Sequence, residues 1–172
     1  TKKENGNIKY DYLCATALSY FFLDLLSKKI KSKINIQDYL IYVLLATVCD
    51  VMPLRKLNRL ISLNVFKNFK INDNYAFKKL FSLNNKKNKL SINDLGYLIG
   101  PILNAGGRLG KSNYATELLS SNDPKIINQR SIELIKLNNK RKNIESLILN
   151  EINLDKIKKD NKNIIIYFNT NI

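Results

Sequence analysis

The feature of this sequence that most constrains its fold is an apolar run, Tyr39–Cys49. The run holds eleven residues, whereas a helix that crosses a membrane needs about 20. Asn35, followed three residues later by Asp38, is typical of a helix start. A helix that is apolar all round has to be covered all round, so the run predicts a buried central helix against which the other segments pack.

A carboxylate, Asp50, follows this run directly, and Pro53 halts the helix. An ionised carboxylate at the end of a buried element needs a partner, because burying it unpaired is costly. One interpretation is that Asp50 binds a metal ion or acts as a base. The other is a salt bridge to Arg55 or Arg59, or a helix cap, and the general rarity of catalytic carboxylates favours this structural interpretation when the residue is taken alone.

The second unusual segment is Gly100–Gly110, which combines four glycines with Asn104 and Arg108. We predict an eleven-residue turn here, because glycine permits positive φ and close backbone approach. A glycine cluster beside an amide and a guanidinium suits an anion such as a phosphate. The segment taken alone is equally compatible with a helix terminator that carries a surface arginine.

Apolar residues at spacings of three and four predict that most of the chain is helical. The predicted helices cover 12–29, 39–49, 56–69, 74–83, 91–99 with a Ser91/Asp94 cap, 114–119 and 124–158, and Asn163–Phe168 is a predicted strand. The last helix is long because the chain has no Gly or Pro after Pro124. Its basic belt, Lys136, Lys140, Arg141 and Lys142, is either a DNA-facing surface or a solvated face, and we favour the solvated face.

The charge balance favours an acidic partner, since 29 Lys and Arg stand against 14 Asp and Glu, for a net charge of +15 and a pI near 9.8. Such a surplus attracts nucleic-acid phosphates whatever the base sequence. The surplus is mostly lysine and is accompanied by abundant Asn and Ile, a composition that A- and T-rich codons would also produce. The charge is therefore compatible with a nucleic-acid partner but does not establish one.

The absence of histidine excludes imidazole as a ligand, acid or base. Cys14 and Cys49 are isolated in apolar contexts, which predicts buried thiols in a reducing compartment and no zinc site.

Two segments taken together resemble the RecJ exonucleases of the DHH phosphoesterase superfamily. Leu44–Leu54 reads LLATVCDVMPL and Gly100–Gly110 reads GPILNAGGRLG, in the order of the family stretches G-T-[VI]-A-D-V-[VM]-P-L and G-P-R-[IL]-N-A-[AG]-G-R-L. Leu13–Tyr20 is similar to the small-residue helix that precedes them, and Asn138–Glu145 to the family's long interdomain helix. The ordered pair of motifs is far more specific than either motif alone.

The resemblance implies roles for particular residues. In the superfamily the aspartate of the first motif belongs to a two-metal cluster, usually of Mn²⁺, with Mg²⁺ as the other candidate, so Asp50 would be a catalytic metal ligand. The cluster also uses upstream aspartates and a histidine of an Asp-His-His signature. Arg108 would hold a phosphate of the DNA, with Asn104 and the backbone amides of Gly106 and Gly107 beside it.

The chain departs from the family pattern at Ile102, where Arg is common, and at Gly106 and Cys49, which each replace a frequent Ala. The Asp-His-His signature would lie before Thr1, and the glycine-rich substrate site of the DHH-associated domain would lie after Ile172. One carboxylate cannot hold two ions. We therefore expect the 172 residues by themselves to lack nuclease activity.

The implied parent fold is α/β, and this chain would be a mostly α-helical central fragment with a long connecting helix and one C-terminal strand. Residues 1–121 would be the C-terminal part of the DHH domain, 122–160 the interdomain helix and 161–172 the first strand of the DHH-associated domain. The parent would be a cytoplasmic, monomeric enzyme that degrades single-stranded DNA from its 5′ end in recombination and repair, without membrane contact and with other repair proteins as further partners. Two alternatives stay open: a DHH phosphoesterase for short oligonucleotides or small phosphate esters, and a non-catalytic helical module that binds nucleic acid.

Overall fold

The computed structural model describes residues 10–87 and 89–151, and every regular element within these ranges is helical. The helices are α1 (Ala15–Lys29), α2 (Leu40–Cys49), α3 (Lys56–Asn68), α4 (Tyr75–Leu83), α5 (Ile92–Asp94), α6 (Gly100–Arg108), α7 (Asn113–Ser120) and α8 (Pro124–Glu151), with 3₁₀ turns at Ile36–Tyr39 and Ile71–Asp73 and a π-helical turn at Leu95–Ile99. The mostly helical character is thus confirmed. The predicted strand Asn163–Phe168 and the predicted end of the last helix near residue 158 lie outside the described residues.

α2 is the central element of the core and packs against α1, α3 and the π-helical turn. Its buried residues are Leu40, Ile41, Val43, Leu44, Leu45 and Thr47. Fully burying one aliphatic side chain of this kind contributes roughly 1.5–3 kcal/mol. The predicted buried central helix is confirmed, and its start is shifted by one residue because Asn35 caps the preceding 3₁₀ turn, where its Oδ1 accepts a hydrogen bond from Gln37 N at 3.3 Å.

A capping box starts the helical stretch that leads to α6. Ser91 N donates to Asp94 Oδ2 at 3.1 Å, and Asp94 N donates to Ser91 Oγ at 3.2 Å. Burial raises the pKa of the Asp94 carboxyl, but hydrogen bonds from Ser91 and Lys86 more than offset it and leave that pKa lowered. The predicted Ser91/Asp94 cap is confirmed, and it fixes where this stretch begins.

The predicted turn over Gly100–Gly110 is wrong, because Gly100–Arg108 is the helix α6. The chain runs from α5 through the π-helical turn into α6 without a break. Pro101 lies where the π-helical turn gives way to α6, at a change in the hydrogen-bond pattern, and a residue without an N–H is better tolerated there than inside a regular helix. Of the glycines in the described ranges, Gly110 alone has a positive φ, 75°, so the turn is confined to the end of the predicted segment.

Two glycines of α6 serve close helix packing. A Cβ atom at Gly100 would lie 2.5 Å from Cys49 Sγ on α2. A Cβ atom at Gly106 would lie 2.6 Å from Lys111 O and 3.1 Å from Leu134 Cδ2 on α8. These distances are shorter than ordinary van der Waals contact. A side chain at Gly100 would force Cys49 or α2 to shift, and one at Gly106 would meet the Lys111 carbonyl oxygen, which is backbone.

α8 contains 28 residues, which at 1.5 Å per residue gives a length of about 42 Å. It packs against α4, α6 and α7 and buries one face, formed by Ile127, Ser131, Leu134 and Asn138. Spacings of four, three and four residues place these side chains on one side of a helix. The first half of α8 is therefore an integral part of the helical body, and the domain boundary near residue 122 stays a prediction.

Gly106→Ala is expected to lower the free energy of unfolding by about 1–3 kcal/mol, because its Cβ would meet the Lys111 carbonyl oxygen, which is backbone and cannot turn away. Gly107→Ala is the matched control, since its Cβ would meet nothing within 4 Å. That change should raise the stability by about 0.5–1 kcal/mol through helix propensity. Urea unfolding of both variants measures the difference, and equal stabilities would contradict the packing role of Gly106.

Candidate nucleic-acid interface

Asp50 occupies the C-cap of α2, where the chain reverses tightly. Val51 N donates to Val48 O at 3.1 Å and Met52 N donates to Thr47 O at 2.9 Å, the bond pair of a Schellman motif. That motif puts one residue in the left-handed conformation, usually glycine, and here it is Val51 with φ 52°. This conformation costs an L-residue about 1–2 kcal/mol, so the backbone next to Asp50 is strained.

The Asp50 carboxylate is exposed, and in the described part of the chain it forms no hydrogen bond or ion pair. Of the structural alternatives, the salt bridge is not formed, since neither Arg55 nor Arg59 pairs with Asp50 in the described part of the chain. Arg55 Nη2 lies 3.5 Å from Asp11 Oδ1 instead, and its guanidinium lies over the Tyr12 ring. A negative charge at the C-terminal end of a helix also meets the negative end of the helix dipole. This position therefore favours a cation beside the carboxylate.

The loop that follows Asp50 is anchored by a buried amide. Asn58, which is 1% exposed, donates from Nδ2 to Tyr12 O at 2.7 Å and to Pro53 O at 3.0 Å. These bonds tie the loop to α3 and to the segment before α1. The direction in which the chain leaves Asp50 is fixed by that anchor.

An open cavity of about 550 Å³, called here the Asp50 pocket, lies between α2, α6 and α7. Asp50 and Cys49 line it from α2, and Asn104 lines it from α6. Burial, and then the charge of Asp50, raise the pKa of the Cys49 thiol. The thiol therefore stays protonated near neutral pH when no cation is bound beside it.

A smaller cavity of about 170 Å³, called here the arginine pocket, adjoins the first. Asn104, Arg108 and Arg141 line it together with Pro101. Asn104 and Arg108 are four residues apart on α6 and so project from one face. Cys49, Gly100 and Asn104 border both pockets, so the amide of Asn104 lies between Asp50 and the arginines.

The other two residues expected at the substrate do not line either pocket. Gly106 is buried in the contact with Lys111 and Leu134, and Gly107 is exposed. Their contact with substrate stays a prediction. Sequence reasoning placed Arg141 only in a basic belt, although its spacing from Leu134 and Asn138 was a signal that it shares their inward side of α8.

The described residues do not by themselves fit a two-metal centre. Among residues 10–87 and 89–151 there is no group of three or more Cys, Asp or Glu side chains placed to hold a metal ion. Asp50 offers the hard oxygen that Mg²⁺ and Mn²⁺ prefer, but a single carboxylate is too few for two ions. A membrane span is also absent from the described helices, none of which combines the necessary length and apolarity.

The chain is similar in sequence to curated RecJ proteins. It is 33% identical over 116 residues to the single-stranded-DNA-specific exonuclease RecJ of Haemophilus influenzae, which covers 65% of this chain and 20% of that protein. It is 34% identical over 113 residues to RecJ of Escherichia coli, with 64% and 20% covered. The chain thus spans about a fifth of the length of these relatives. No family profile matches the chain.

Solved RecJ structures share its fold. The Mn²⁺ complex of RecJ from Thermus thermophilus superposes with a TM-score of 0.64 at 22% identity, over 74% of this chain and 19% of that one. A manganese-bound exonuclease RecJ gives a TM-score of 0.68 at 22% identity, over 78% and 34%. The resemblance predicted from the two motifs is therefore confirmed in sequence and in fold.

Val51→Gly is expected to raise the free energy of unfolding by about 1 kcal/mol, because glycine adopts the left-handed conformation without strain. Little burial is lost, since Val51 is 87% exposed. Leu60→Gly is the control: Leu60 is 62% exposed in α3, and glycine in an ordinary helix interior should cost about 1 kcal/mol. Urea unfolding measures the free energy of unfolding of both variants. A Val51→Gly chain that is less stable than wild type would show that Val51 is not strained.

Proposed function

We propose that this chain is part of a RecJ-type exonuclease that hydrolyses single-stranded DNA from its 5′ end. One observation carries the proposal: the groups of the two RecJ-like motifs border adjoining pockets. Asp50, from the first motif, lines one pocket, Arg108, from the second, lines the other, and Asn104 lines both. A free carboxylate next to a basic pocket suits a phosphodiester, which needs charge stabilisation at the cleaved phosphate and a grip on the strand beside it.

Asp50 would be one ligand of a divalent metal site, with Mn²⁺ or Mg²⁺ as the ion. Such ions supply an activated water and charge stabilisation when bound. Asp50 would supply an oxygen held at a fixed helix end, without a competing partner in the described part of the chain. The remaining ligands would come from outside these residues, so the chain alone would be inactive.

Arg108 and Asn104 would hold a phosphate of the strand. A guanidinium and an amide can each donate hydrogen bonds to phosphate oxygens, and charged donors make the stronger bonds. The net charge of +15 would add a sequence-independent attraction. Within the proposal, residues 1–121 belong to an α/β DHH domain, 122–160 link it to the domain that begins at 161–172, and the parent is a cytoplasmic monomer that acts in recombination and repair.

The non-catalytic alternative and the nuclease proposal both accommodate the lack of a metal-binding cluster among the described residues, so they have to be separated by activity. The non-catalytic alternative predicts that a full-length protein binds single-stranded DNA without degrading it. The nuclease proposal predicts degradation that depends on Asp50, and the same experiment therefore separates the two. Comparing a dinucleotide with a long single strand as substrates distinguishes the exonuclease from a phosphoesterase for short oligonucleotides.

Asp50→Asn in the full-length protein is expected to lower the rate of degradation of a 5′-phosphorylated single strand with Mn²⁺ by at least about a hundredfold, since even residues that only support metal ligands contribute 10–100-fold. The control is Asp73→Asn, which removes an exposed carboxylate from the 3₁₀ turn Ile71–Asp73 and should leave the rate unchanged. Release of acid-soluble nucleotide measures both. Equal rates for wild type and Asp50→Asn would refute the catalytic role.

Arg108→Gln in the same protein is expected to raise KM by about tenfold and to change kcat little, because the lost bond is one to a phosphate held equally in the ground and transition states. Arg59→Gln removes the same charge from an exposed position outside both pockets. It should change KM by less than about twofold, as expected for a screened surface charge. A KM for Arg108→Gln that equals the control's would remove Arg108 from the substrate site.

A further inference from the structure

The arginine pocket brings together two guanidinium groups from different helices. Arg108 comes from α6 and Arg141 from α8, and Asn104 completes the polar lining. No Asp or Glu is among the described residues that line it. Two like charges that face one cavity repel each other. Glu145, which pairs with Arg141 from outside the lining, offsets part of this repulsion, and an anion between the two guanidinium groups would remove the rest.

Arg141 is held in place by its own helix. Its Nε donates to Asn138 Oδ1 at 3.4 Å, and its Nη1 donates to Glu145 Oε2 at 2.9 Å. Asn138 is 5% exposed, so it forms a rigid support, whereas the Arg141 side chain keeps 29% of its surface open. A guanidinium has five N–H donors, so these two bonds leave others free to point into the pocket.

The neighbouring cations of α8 differ from Arg141. Arg130 is neutralised by Glu117 and Glu133 and stacks on the Tyr114 ring at 4.1 Å, which gives it a structural role between α7 and α8. Lys142 and Lys140 are exposed and do not line the arginine pocket. The basic belt therefore separates into one arginine that faces a cavity and lysines that face solvent.

We propose that Arg141 is the second arginine of a phosphate-binding site and that, with Arg108 and Asn104, it binds one phosphate group of a nucleic-acid strand. Planar guanidinium groups bind phosphate oxygens in pairs of hydrogen bonds, which a lysine cannot do. α6 and α8 are packed against each other near these arginines, and a Cβ atom at Gly106 would lie 3.1 Å from Leu134 Cδ2 on α8. The proposal rests on the proposed function only in taking the phosphate to be that of DNA.

The test uses the complete 172-residue chain and fluorescein-labelled strands of ten thymidylates, with a 5′-phosphate or a 5′-hydroxyl, in anisotropy titrations at one fixed salt concentration. Arg141→Gln is expected to weaken binding by about tenfold, the effect of one charge-assisted contact. Lys142→Gln removes the same charge one residue away and is expected to weaken it by less than about twofold. Circular dichroism and thermal melts confirm that each variant is folded.

The double variant Arg108→Gln/Arg141→Gln tests whether the two residues share one phosphate. Sharing predicts a combined loss clearly smaller than the product of the single losses, because either change already disrupts the site. A combined loss equal to the product would mean separate phosphates and would overturn the proposal. If Arg141→Gln lowers the affinity for the 5′-phosphorylated strand more than for the 5′-hydroxyl strand, the site binds a terminal phosphate. If it lowers both affinities equally, the site binds an internal phosphodiester.

Two further results would overturn the proposal: equal losses for Arg141→Gln and Lys142→Gln, and an inability of the wild-type chain to bind either strand. Failure of the proposed function looks different. In that case a full-length protein would degrade no DNA, while the chain would still bind the strands with the expected dependence on Arg141.

Discussion

The candidate site depends on how closely α6 crosses its neighbours. A Cβ atom at Gly100 would lie 2.5 Å from Cys49 Sγ, so α6 approaches α2 more closely at this point than a side chain would allow. Cys49 immediately precedes Asp50, and Gly100 lies one helical turn before Asn104. The contact therefore brings the carboxylate at the end of α2 and the amide on α6 to a shared cavity. Gly106 leaves room for the Lys111 carbonyl oxygen, which follows α6, and for the Leu134 side chain of α8.

The negative and positive charges of this site lie in separate, adjoining pockets. One pocket holds a carboxylate that no described residue neutralises, at the negative end of a helix dipole. The adjoining pocket holds two guanidinium groups and no acid among its described lining residues. Arg141 is paired with Glu145, whereas Asp50 and Arg108 form no ion pair among the described residues. An unpaired charge costs free energy in the isolated fold, and that cost is understandable if Asp50 and Arg108 each meet an ionic partner during function. Arg130 differs from both pocket arginines, because it is paired with two carboxylates, Glu117 and Glu133, and lines neither pocket.

Patterns along the sequence correctly predicted the features that depend on residues close together in the chain. The Ser91/Asp94 cap and the burial of α2 followed from spacing and apolarity alone. The turn predicted for Gly100–Gly110 was wrong, because glycine occurs both where φ is positive and where two helices come into close contact. Only the position of the neighbouring helices decides between these two cases. The sequence left a salt bridge from Asp50 to Arg55 or Arg59 open for a similar reason. Only the tertiary structure shows that Arg55 pairs with Asp11, which lies far away in the sequence.

The sequence by itself determined the order and identity of the two motifs, the buried central helix and the surplus of positive charge, since each is a property of composition or of short spacing. The tertiary structure decided which side chains share a cavity. Asp50 and Asn104 share one pocket, and Asn104 and Arg108 share the adjoining one, where Gly100 lets α6 pack closely on α2. Arg141 lines the second pocket because Leu134 and Asn138 turn one face of α8 inward. Contacts between helices depend on the shapes of both surfaces, which the pattern along one segment does not contain.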